Sequence, residues 1–161
     1  MKEYSAFITL AGALLALIFA VYTARKVMKF DEGNDLMKKI SRSIRSGANA
    51  YLKRQYTVVM VFFGAMFVIL GVLAALDMLT WFVPFAFLTG GFFSGLSGFI
   101  GMKIATFANA RTANACQQGL NRGLRVAFNA GSVMGFTVVG LGLLDISVWF
   151  ILLKYVFKLI K

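Results

Sequence analysis

The chain has 161 residues, 60% of them hydrophobic, and 17 Lys/Arg against 6 Asp/Glu give it a formal charge of +11. A mean hydropathy of +0.80 excludes an ordinary soluble domain. The absence of histidine excludes His-ligated metals and His-based triads, and the single Cys116 excludes an internal disulfide.

The apolar residues are gathered into long uncharged runs, each about the 20 residues that a helix needs to cross a hydrocarbon core. The reading is all-α: a polytopic membrane protein with four transmembrane helices, at roughly residues 4–24, 56–76, 80–102 and 126–150 of one module spanning 1–161. The first run starts at Tyr4 and follows Lys2-Glu3, a start that is not net basic, and it exceeds a signal-peptide core in length. It reads as an uncleaved helix. Gly12, Ala16 and Ala20 give it a smooth strip for a packing neighbour. Arg25–Arg54 then carries nine Lys/Arg and only three acids, Asp31, Glu32 and Asp35.

Residues 34–55 have amphipathic helical spacing, with Leu36, Met37, Ile40, Ile44, Ala48 and Tyr51 on one face. Asn34 or Asp35 is placed to cap the start, and no turn signal separates Tyr51 from Tyr56, which favours continuation into the second span. The third span has Trp81 near its outer end, Pro84 in its first turns, and small-xxx-small pairs Gly91/Gly95, Ser94/Gly98 and Ser97/Gly101. It runs without a break into GFIGMKIATFANARTANA (residues 98–115). Lys103–Arg125 carries four cations and no acid. Gly131/Gly135 marks the fourth span for close packing.

Basic residues in short loops stay cytoplasmic. This places the N-terminus outside, both basic loops in the cytosol, and Lys154, Lys158 and Lys161 anomalously outside. The charge is read as topology and attraction to anionic headgroups rather than nucleic acid.

Two segments, EGNDLMKKISRSIRSGANAYLKRQY (residues 32–56) and GLSGFIGMKIATFANARTANACQQGLNRGLRVAFNAGSVMGFTVVGLGLL (residues 95–144), resemble the N-terminal part of the membrane-bound, ion-pumping inorganic pyrophosphatases. The resemblance implies a primary pump that couples hydrolysis of magnesium pyrophosphate to Na⁺ or H⁺ movement, in homodimers whose later, inner-ring helices hold substrate, Mg²⁺ and the ion gate. Ion choice and K⁺ dependence stay open. This chain would be outer-ring helices packed on the rest of the same pump in a prokaryotic inner membrane. The family's acidic DVGADLVGKVE-type motif has no counterpart among these residues, so no catalytic, cofactor-binding or metal residue carries over.

The residues agree with that limit. Holding several Mg²⁺ ions requires clustered carboxylates. The one cluster here, Asp31/Glu32/Asp35, reads as acids at a helix N-terminus. Lys103, Arg111, Arg122 and Arg125 could attract phosphate but read first as anchors, and Asn109, Asn114, Gln117 and Gln118 read as helix contacts. Cys116 has no base partner. The span cores lack the ionisable residue an ion path needs, Asn129 being too little. The isolated chain is therefore expected to be inactive. The rival reading is a free-standing, non-enzymatic four-helix protein, either an assembly subunit or a small transporter.

Overall fold

A computed structural model describes residues 5–157. The first span's start at Tyr4 and the tail lysines Lys158 and Lys161 lie outside the described residues. Four helices follow one another, α1 (Ser5–Met28), α2 (Asp35–Ala75), α3 (Phe82–Gln117) and α4 (Leu120–Ile151), and a π-helical turn (Leu152–Val156) completes them. No strand occurs among the described residues. All four helices are long and apolar enough to cross a membrane.

Their lengths differ in a way that the charge pattern explains. At 1.5 Å per residue, α2 is about 60 Å long and α3 about 54 Å, whereas a bilayer core is about 30 Å thick. Each therefore has an apolar half and a charged half. The charged N-terminal half of α2 and the C-terminal half of α3 project from the same end of the assembly, where α1 stops and α4 starts. The basic connection Lys103–Arg125 is a helical hairpin: α3 continues to Gln117, in keeping with the unbroken passage through residues 98–115, and only Gln118-Gly119 separates it from α4. Gly119, at φ 134°, makes the sharp reversal that an L side chain resists.

The helices lie in the spatial order α1–α4–α3–α2, so α2 touches α3 and neither α1 nor α4. This is an open row rather than a closed bundle. Broad apolar faces stay uncovered, including Met60, Val61 and Val68 on α2 and Leu15 and Ile18 on α1. Exposure of this kind carries no hydrophobic penalty in lipid, where helix association relies on close packing and polar contacts.

Small residues make each contact. On α1 the buried line is Ala13, Ala20, Thr23 and Val27, with Gly12 open. Of the strip expected at Gly12, Ala16 and Ala20, Gly12 is exposed, Ala16 half-buried and Ala20 part of this buried line. The line meets α4 at Gly140, where an added Cβ would lie 2.8 Å from Leu17 and 3.2 Å from the Ala13 carbonyl. Ser147 also donates to Thr9 across this contact at 3.0 Å.

On α3, Gly91 and Gly95 face α2. Phe63 fills the space over Gly91, and the Tyr56 hydroxyl donates to the Gly95 carbonyl. Gly101 faces α4 and accommodates Met134, whereas Gly131 and Gly135 are open. At the end remote from the basic halves, Asp77 adopts φ 58° to close α2, and Trp149 donates to Thr89 at 2.7 Å.

Candidate functional site

A buried apolar cluster lies at the basic end. Val27 of α1, Ala108 and Ala115 of α3, and Val126 and Ala130 of α4 form a buried core, with Phe30 and Ile104 against it. This core fixes three helix ends and carries the connection from α1 to α2 onto the flank of α3. Gly33 turns the connection at φ 89°, and its missing side chain leaves room for Met37 and Asn114, which a Cβ would meet at 2.6 and 3.0 Å. Asn34 then caps α2, accepting from the Met37 N–H at 2.9 Å.

That turn presents Glu32 to two arginines. Arg45 of α2 donates to Glu32 Oε1 at 2.7 Å, with Nη2 3.5 Å from Oε2. Arg111 of α3, only 8% exposed, donates Nη1 to the same Oε1 at 2.8 Å and to the Phe107 carbonyl at 2.6 Å, while its Nε reaches the Phe30 carbonyl at 2.9 Å. The Arg45 guanidinium also lies 4.7 Å over the Phe107 ring. One carboxylate thereby ties the α1–α2 connection, α2 and α3 together. The hydrogen bond from Arg45 holds the Glu32 carboxyl below its ordinary value; burial opposes this, and the charge of Arg111 reinforces it.

The three neighbouring acids therefore have different surroundings. Asp35 is in the first turn of α2, exposed and 3.9 Å from Lys38, in keeping with an acid at a helix N-terminus. Asp31 is exposed and accepts from the Gly33 N–H at 3.3 Å. Glu32 precedes the cap and serves the arginines instead. The arginine clamp is what sequence reasoning missed: its partners are 13 and 79 residues away, and only charge complementarity hinted at it.

Of the cations singled out in 103–125, Arg111 is thus largely committed to structure, and Lys103 donates to Asn49 at 2.6 Å, bracing α3 against α2. Arg122 and Arg125 are exposed. Asn114 makes the expected helix contact, donating to the Asp31 carbonyl at 3.2 Å. Cys116 is exposed, and the Asn129 amide nitrogen is buried without a partner. Asp77 lies in the turn at the far end, away from this cluster.

Among the described residues, no three His, Cys, Asp or Glu side chains gather as metal ligands. Glu32, the carboxylate best placed at this end, is already engaged by two cations. These residues do not fit a multi-magnesium centre.

The fold and the charge distribution define a polytopic helical membrane protein with a packed, basic end. Residues 14–160 match the family model described as inorganic H⁺ pyrophosphatase, and the chain belongs to that family. It is 53% identical over 146 residues to the "Putative K(+)-stimulated pyrophosphate-energized sodium pump" of Bacteroides thetaiotaomicron, a match covering 90% of this chain and 20% of that protein. It is 42% identical over 137 residues to the "K(+)-insensitive pyrophosphate-energized proton pump 2" of Moorella thermoacetica, covering 85% and 20%. With the "K(+)-insensitive pyrophosphate-energized proton pump" of Methanosarcina mazei it shares 41% over 143 residues, covering 89% and 21%. The chain spans about a fifth of the length of these curated relatives.

Proposed function

We propose that this chain is the N-terminal packing module of a pyrophosphate-energised ion pump, in which hydrolysis of pyrophosphate drives Na⁺ or H⁺ across the membrane. The observation that carries this reading is the family match over residues 14–160 together with the relatives' much greater length. In this proposal the module contributes helices and topology, while catalysis, magnesium binding and the ion path belong to further helices of the same pump. The donor set supports that division, since Glu32 is paired with two arginines, Asp35 with Lys38, and Asp31 accepts from the Gly33 N–H. Metal-assisted hydrolysis requires carboxylates free to hold the ion and a water.

The same proposal gives the module a lipid bilayer and a second pump subunit as partners, and puts it in a prokaryotic inner membrane. The N-terminus lies outside and the basic end in the cytosol. Relatives named for sodium and relatives named for protons both match the chain, and in this proposal ion choice belongs to helices outside it.

The test is a chimera in which this chain replaces the matching segment of the Bacteroides pump. Vesicles carrying the chimera should release phosphate from pyrophosphate with Mg²⁺ and transport an ion, while vesicles carrying this chain alone should do neither. Pyrophosphate hydrolysis by the isolated chain above background would overturn the division of labour. A chimera that assembles in the membrane but stays inactive would overturn the assignment as a pump module.

A further inference from the structure

Beside the arginine clamp, where the end of α1, the end of α3 and the start of α4 converge, an open cleft of 440 Å³ is lined by Lys26, Lys29, Arg111, Arg122, Asn114 and Asp31, among others. Its charge is unbalanced. Among the described residues the ion pairs are Lys38–Asp35, Arg45–Glu32 and Arg111–Glu32, so Lys26, Lys29 and Arg122 have no carboxylate partner. Asp31 is the only acid on the lining, and its Oδ1 is turned to the Gly33 N–H.

The floor of the cleft is built rather than adventitious. Arg111 is more than nine-tenths buried, and its Nε and Nη1 are fixed on Phe30, Phe107 and Glu32. Its Nη2 has no acceptor among the described residues. Among the described residues the fully enclosed side-chain atoms without a partner are Ser41 Oγ and Asn129 Nδ2, and Arg111 Nη2 is not one of them. A fixed guanidinium with one spare nitrogen therefore shares the cleft with three unpaired cations.

We propose that this cleft binds a phosphate group. A tetrahedral anion with several acceptor oxygens can take the free Nη2 of a fixed arginine and the charges of two lysines and a second arginine together. A single carboxylate has too few oxygens for that set. Lys26 and Lys29 stand where α1 leaves its apolar layer, at the level of lipid headgroups. The phosphate can thus come from an anionic phospholipid or from inorganic phosphate in solution. The proposal is independent of the pump reading, because it uses only this chain's own side chains.

The experiment uses the whole chain and two probes. In one arm, the chain is released from mixed phosphatidylglycerol and phosphatidylcholine micelles and its retained lipid is read by native mass spectrometry. In the other, inorganic phosphate is titrated by calorimetry into the chain in phosphatidylcholine nanodiscs. The cleft variant is Lys26→Gln/Lys29→Gln/Arg122→Gln. A charge-matched control, Lys39→Gln/Arg42→Gln/Arg54→Gln, alters exposed cations on α2, and a charge-conserving variant, Lys26→Arg/Lys29→Arg/Arg122→Lys, checks that folding survives.

A loss of about tenfold or more in phosphatidylglycerol retention, confined to the cleft variant and absent from the charge-conserving one, supports the site and assigns it to lipid. The same pattern in the calorimetric arm assigns it to free phosphate. Equal losses in the cleft and control variants would reduce the effect to general surface charge and overturn the proposal. Absence of binding in both arms, or unchanged binding by the cleft variant, would overturn it equally.

Discussion

Glu32 shows how much one side chain can decide when its partners come from different helices. Its carboxylate and the Arg45 side chain are 17% and 18% exposed, and that of Arg111 is 9% exposed. Removing the acid leaves two poorly hydrated cations facing each other. Glu32→Gln is expected to cost about 2 kcal/mol, below the full penalty for a completely buried pair because water still reaches the cluster. A drop in the thermal midpoint of the detergent-solubilised chain would measure it; an unchanged midpoint would show that the clamp is energetically idle.

The pH dependence follows from the direction of the shift. The folded Glu32 value lies below the ordinary 4.5, so the unfolded chain takes up this proton first as pH falls. The stabilisation is complete above about 4.5 and is lost as pH drops through the depressed folded value. The wild-type midpoint should therefore fall between pH 5 and pH 3 by more than that of Glu32→Gln, and parallel curves would contradict the assignment.

Among the elements, the glycines differ by what faces them. The Cβ of Gly140→Ala would meet Leu17 and, at 3.2 Å, the backbone carbonyl of Ala13, which cannot rotate away. Separation of α1 from α4 is expected, with a cost of about 1–3 kcal/mol. Gly131→Ala meets nothing within 4 Å and should leave the midpoint unchanged or slightly raised, because alanine favours a helix. If the two variants melted alike, the contact at Gly140 would not be what holds α1.

Gly91→Ala pushes its Cβ into the Phe63 ring and should loosen α2. Phe63→Ala in the same chain should restore part of the loss by removing that obstacle, a coupling that a double-mutant cycle reads directly. Additive effects would place the two residues in unrelated contacts.

At the scale of the molecule, an open row with α2 on one edge and α1 on the other leaves apolar surface on both flanks, which suits a segment surrounded by lipid and by further helices. The proposed sidedness rests on the basic end. Cys116 stands there, exposed and the sole thiol of the chain. In oriented membrane vesicles a membrane-impermeant maleimide should label it from the cytosolic face and fail from the other. Labelling only from outside would invert the topology.

Helix type, the number of apolar helices and the family were already determined by the order of amino acids. Hydropathy over 20 residues and a long in-register motif are local signals that need no knowledge of neighbours. The unbroken passage from Ile100 through Ala115 was legible in the same way, since nothing in it stops a helix. Tertiary structure alone decided which small residues meet which helix: Gly91 receives Phe63 of α2, Gly101 receives Met134 of α4, and Gly131 receives nothing. It alone decided that Glu32 leaves its acidic neighbours for Arg45 and Arg111, and that Lys26, Lys29 and Arg122 share a cleft. A periodic pattern gives each helix its faces, but only the packed assembly selects the partner that each face meets, because that choice depends on the fit between side chains far apart in the chain.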